Sequence, residues 1–212
     1  GDYDGTTVIR HGFDGAIVED AHVGGAMTCG DYVDYWSEWP NLNYGTEDLG
    51  QINIQNQRDV SDFPCFSKFL ISFPMDSVPE GVEVISATLT MHQFGSSGTG
   101  WDDDPQDSFI QVLTIAEDWD PSTITWNTVP YAVENFGGLR VEPLPVFPGW
   151  PGVPRTWNIS PIVQQTVQTT EPLRLVLYSA DSAIHSGKYF YSSDSNSDGS
   201  ARPYITVYWK NP

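Results

Sequence analysis

The chain has 212 residues, 39% hydrophobic and 13% aromatic, which is enough for one large all-β domain with its own core. Nine basic residues face 28 acidic ones, for a formal net charge of -19. That balance excludes nucleic acid and anionic lipid surfaces, argues against polyanionic glycans, and favours cations. No apolar run reaches the roughly 18 residues a membrane helix needs.

Residues 1–23 open on polar "GDYDG", which reads as the start of a processed, secreted chain. The following "TTVIRHGFDGAIVEDAHV" alternates well enough to serve as a strand. Such a strand is able to add to a neighbouring subunit's sheet edge. Cys29 and Cys65 are the two cysteines. An even pair in a Pro/Gly-rich β chain points to a disulfide and an oxidising, extracellular compartment. Closing that long loop would contribute about 4 kcal/mol by the chain-entropy model.

Residues 24–48 read as a long loop in which "DYVDYWSEW" crowds Tyr32, Tyr35, Trp36 and Trp39 together. Alternation places Tyr32, Asp34 and Trp36 on one wetted face. Flat rings stack on sugars, while Asp34, Glu38, Asn41 and Asn43 supply groups for hydroxyls. The same residues equally suit a satellite cluster over the fold or a contact with another subunit.

Strand patterns follow. "SKFLISF" puts Phe69, Ile71 and Phe73 on one face, and "VEVISATLTMHQF" aligns Ile85, Ala87, Leu89 and Met91 opposite Ser86, Thr88, Thr90 and His92. The loop "GSSGTGWDDDPQD" offers Trp101 as another exposed ring. Its Asp102 and Asp104 are candidate cation ligands, or simply a solvated acidic loop. After "DSFIQVLTI" comes "WDPSTITWNTVP", with Trp119 and Trp126. Alternation sets Ile124 and Trp126 on one apolar face, which favours packing over an exposed platform. Residues 131–156 are proline-rich and cannot supply a central strand; Trp150 lies among them as a further aromatic candidate.

"NISPIVQQTVQ" is the one helix expected, with Ser160 as N-cap and Pro161 at the first helical position. "LRLVLYS", "GKYFYSS" and "PYITVYW" complete the strands. Between the last two, "DSNSDG" sets Asp194, Asn196 and Asp198 at alternate positions before Gly199, as in the first half of a calcium loop. Ile205 stands where such loops carry a bidentate acid. An Asx- and Gly-rich connection explains the segment without an ion. No Gly-x-Ser-x-Gly elbow, His-Glu-x-x-His motif or phosphate-cradling loop occurs, so no enzyme is expected and no catalytic residue is named.

Short strands at this spacing read as an antiparallel β-sandwich, jelly-roll-like, with one short helix and long loops, forming a single domain over 1–212. In order, "NYGTEDLGQINI", "SKFLISFPMDSVPEGVEVISATLTM", "WDPSTITWNTVP", "WNISPIVQQTV" and "RPYITVYW" resemble the DNRLRE-type domain, which is similar to carbohydrate-binding module family 96. The resemblance covers most of residues 41–210. It implies an extracellular, non-catalytic sandwich and names no ligand. Residues 29–39 and 141–154 are embellishments on that pattern.

Two functions follow from these readings. The first is a structural subunit of an extracellular fibre, sheath or matrix, a homopolymer whose acidic faces are bridged by calcium. The alternative is a module recognising a neutral glycan through loop aromatics. Tyr32, Asp34, Trp36, Trp39, Trp101 and Trp150 are the contact residues in either case. No organic cofactor is expected.

Overall fold

A computed structural model describes residues 2–25, 38–45, 50–55, 66–97, 105–180, 187–195 and 198–212. Eleven strands and one helix occupy these segments: β1 (Gly5–Arg10), β2 (Glu19–Gly24), β3 (Gln51–Ile54), β4 (Ser67–Phe73), β5 (Glu83–Ser96), β6 (Ser108–Ile115), β7 (Ala132–Val141), β8 (Val153–Asn158), α1 (Ser160–Thr166), β9 (Leu173–Ser179), β10 (Lys188–Tyr191) and β11 (Tyr204–Lys210). They form two antiparallel sheets, as the strand spacing predicts. One sheet runs β1-β11-β5-β10-β3, with β8 also paired to β5; the other runs β2-β4-β9-β6-β7.

Period-two alternation fills the space between the sheets. Phe69, Ile71 and Phe73 of β4 meet Ala87, Leu89 and Met91 of β5, with Phe190, Ile205 and Val207 beside them, all fully buried. Trp157 of β8 spans the sandwich and donates its indole N–H to the Ile110 carbonyl at 3.0 Å. On its other face β4 carries Lys68, Leu70 and Ser72. There Leu70, with Ala21, Val23, Ile124 and Val176, forms a second cluster roofed by Trp119 and Trp126.

Residues 2–23 fold back onto their own chain. β1 pairs with β11 from Gly5↔Trp209 to Arg10↔Tyr204, and β2 pairs with β4. The alternation read as suited to a neighbour's sheet is used here on the chain's own two sheets, at an outer edge of each. β11 and β4 present edges that these strands complete. Two further expectations shift. Residues 131–156 are not all loop: β7 is an edge strand and β8 begins at Val153, with the prolines at 143, 145, 148 and 151 confined between them. The helix begins at Ser160 with Ile159 as its N-cap. The Asn158 carboxamide oxygen accepts from the Ser160 N–H and hydroxyl at 3.0 and 2.7 Å, and Ser160 Oγ accepts from the Ala87 N–H of β5 at 2.9 Å, so the Ser side chain does not cap the helix.

Candidate functional site

An aromatic surface lies on the outer face of the β1-containing sheet. In β10 alternation buries Phe190 in the core and turns Tyr189 and Tyr191 outward. A bulge opposite Tyr189 and Phe190 re-aims β5 there. Phe94 of β5 then lies against both tyrosines, with ring centroids 4.7 Å from Tyr191 and 5.9 Å from Tyr189. The segment between β7 and β8 crosses over this face. It brings Trp150 to 4.8 Å from Tyr191 at an interplanar angle of 59°. Trp150 remains 40% exposed and Phe147 61% exposed. Phe147 lies over Gly95, where any Cβ would collide with its ring. The result is a ledge of five aromatic rings, half-buried at its base and open at its rim.

The crossing segment is pinned to the sheet. Gln93 Nε2 donates to the Glu142 carbonyl at 3.1 Å, Arg155 Nη2 donates to the same carbonyl at 3.3 Å, and the Leu144 N–H donates to Ser96 Oγ at 3.2 Å. Arg155 is itself held by Gln93 Oε1 at 2.8 Å. Rings held this way are preorganised, so binding against them orders little further.

Polar groups frame the ledge. Gln51 of β3 stands opposite Tyr191 on the outer face. Asp198 accepts from the Ser200 hydroxyl and N–H at 2.5 and 2.9 Å. These two bonds, aided by the Trp150 indole and by Arg10, hold its carboxyl below the usual carboxylate range. Burial pushes the Tyr191 phenol up, so it stays a neutral donor and acceptor. His92 is held below its usual range by desolvation, partly offset by the Ala201 backbone, with Arg10 adding to the depression.

Among the described aromatic residues singled out from sequence, Trp150 lies on this ledge, with Asp198 beside it. Trp39 is only 9% exposed and packs edge-on against Trp126 at 5.0 Å and Phe66 at 6.0 Å, so it offers no face to a sugar. Asn41 and Asn43 are also engaged within the fold. Asn41 Oδ1 accepts from Asn127 at 3.0 Å; Asn43 Nδ2 donates to the Pro121 and Ile124 carbonyls at 3.0 and 2.7 Å. Tyr32, Asp34, Trp36, Trp101, Asp102, Asp104, Asn196, Cys29 and Cys65 lie outside the described residues. Asp194 and Asp198 fall in the connection between β10 and β11, where Oδ1 of Asp198 is engaged by Ser200. Among the described residues no group of three or more His, Cys, Asp or Glu side chains is placed to hold a metal.

Trp119 and Trp126 pack on the second apolar cluster, as expected, but through a turn and a 3-10 segment (Trp126–Thr128) rather than through strand alternation. The Trp126 ring lies beneath Lys68 Nζ at 4.6 Å, while the buried Trp119 indole N–H meets no acceptor. Phe94, Phe147, Tyr189 and Tyr191 were missed. The strict alternation of "KYFY" was the available signal for the two tyrosines, because two outward aromatics flanking a core Phe expose apolar area on a face expected to be polar.

Comparison with family models matches residues 32–207 to carbohydrate-binding module family 96. Comparison with curated protein sequences gives no match.

Proposed function

Because the chain belongs to carbohydrate-binding module family 96, we propose that it binds a glycan on the ledge of Trp150, Tyr191, Tyr189, Phe94 and Phe147. The observation that carries this reading is the exposed Trp150 ring, set against Tyr191 by a segment hydrogen-bonded to β5. Sugar rings present apolar C–H faces that stack on such aromatics, and their hydroxyls pair with groups such as Gln51, Asp198 and the Tyr191 phenol. The net charge of -19 disfavours polyanionic polysaccharides and leaves neutral glycans as the preferred class. The role is non-catalytic and extracellular: the module holds its host at a glycan surface.

The structural-subunit reading placed first from sequence gives way to this one. β1 and β2 are paired within the chain, and no described feature supports a homopolymer. The test is a neutral-glycan array followed by titration calorimetry on the best ligand. Trp150→Ala and Tyr191→Ala should each weaken binding while leaving the thermal midpoint nearly unchanged. Full affinity in both variants would move the site elsewhere.

A further inference from the structure

A concavity of about 670 Å³ lies beside β1, at the opposite edge of the same sheet from β3. Its walls are β1, the β1–β2 connection and the start of the β4–β5 connection. The first two precede residue 32, so the family match does not supply them. Val8, Phe13 and Ile17 line it and are exposed, Phe13 at 41% and Ile17 at 67%. Asp14 and Asp76 line it as well, with hydroxyls from Thr6 and Ser77. Neither carboxylate forms an ion pair among the described residues. The Arg10 guanidinium lies over the Phe13 ring at 5.6 Å from its centroid.

The walls are fixed in place. Within the connection Gly12 N–H donates to Ala16 O at 2.9 Å and Ala16 N–H to Phe13 O at 3.0 Å. The Val18 N–H donates to His11 Nδ1 at 3.1 Å, and Arg202 clamps the His11 carbonyl at 3.0 Å. A groove of this volume, apolar on one wall and carrying a few convergent polar groups, has the anatomy of a small-ligand site.

We propose that this groove is a second sugar subsite, selective for a glycan with free amino groups. An exposed aromatic ring and aliphatic walls accept the C–H face of a pyranose. The two carboxylates answer an ammonium on the same ring, and the chain's overall charge draws a polycation toward them. N-acetylation of the same sugar removes the cation and leaves a neutral amide, so the groove discriminates between the two forms. This subsite shares no lining residue with the ledge, so it stands or falls independently of the function proposed above.

The experiment titrates oligoglucosamine, and separately its fully N-acetylated counterpart, into the intact chain. Asp14 has φ +52°, a left-handed conformation that Asn tolerates at least as well, so Asp14→Asn removes the charge without straining the turn. The Asp14→Asn/Asp76→Asn variant should bind oligoglucosamine about tenfold more weakly, as expected for two partly screened charge contacts. Phe13→Ala should weaken it too, while Trp150→Ala should leave it unchanged. A Glu117→Gln/Glu134→Gln variant removes equal charge at exposed positions away from the groove, and should keep full affinity. Equal losses in the two charge-pair variants would mean diffuse attraction and overturn the subsite. So would equal binding of the N-acetylated oligomer, or no binding of oligoglucosamine at all.

Discussion

Acidification should destabilise the fold through one buried histidine. His22 sits on β2 opposite Phe69 of β4, 4% exposed, with its ring 4.5 Å from Tyr44 and with Nδ1 making no hydrogen bond. Desolvation lowers its pKa from 6.5 to about 4. The unfolded chain therefore takes up this proton near pH 6.5, and the folded chain only near pH 4. Between those values the unfolded state holds the extra proton, so stability falls as pH falls. A shift of about 2.5 units at roughly 1.4 kcal/mol each gives a loss of about 3 kcal/mol, complete near pH 4 and absent above pH 6.5. The assay is denaturant unfolding followed by tryptophan fluorescence across that window, in the wild type and in His22→Phe. The carboxylates titrate in both proteins and cancel in the difference. The variant should show a pH slope shallower by about one proton. Identical slopes would falsify the claim that His22 is folded in its neutral form.

Three further outcomes follow from the packing. Asn43→Ala removes two donated bonds and the one Oδ1 accepts from Gly45 N–H, and should cost about 2–3 kcal/mol in denaturant unfolding without altering glycan affinity at the ledge. Gly24→Ala meets both a φ of +99° and the Phe66 carbonyl in its path, so the loss of thermal stability should exceed the ~1 kcal/mol of the dihedral alone. Trp157→Phe removes the indole bond to the Ile110 carbonyl and should lower unfolding free energy by about 1 kcal/mol, while tyrosine-ledge binding persists.

The sandwich was legible in sequence because burial on a strand has a period of two. "SKFLISF" and "VEVISATLTMHQF" state which side chains face inward, and the structure buries Phe69, Ile71, Phe73, Ala87, Leu89 and Met91, while Ile85, read on the same face, stays 44% exposed near the start of β5. The site was less legible because nothing local links its parts. Trp150 reaches Tyr191 only after a proline-rich segment doubles back over β5, and the bulge at Tyr189 and Phe190 has no signature in "KYFY". Asn43 illustrates the reverse error. A polar side chain beside aromatics suggested sugar hydroxyls, yet its partners are the carbonyls of Pro121 and Ile124, about eighty residues away. Carbonyl acceptors are present in every residue, so a sequence does not advertise which of them an amide will find.

The pairing of β1 with β11 also sets how the module bears load. Asp4 N–H donates to the Trp209 carbonyl at 2.9 Å, and Asn211 N–H donates to Asp4 Oδ2 at 2.8 Å, so the chain enters and leaves the sandwich at one point. Tension applied between these two ends pulls adjacent antiparallel strands apart from their shared end. The β1–β11 hydrogen bonds then open one after another, as a zipper does, instead of shearing together. A host anchored through both ends should therefore lose β1 at low force, and with it a wall of the Phe13 groove, while β10 and the ledge across the sheet remain folded.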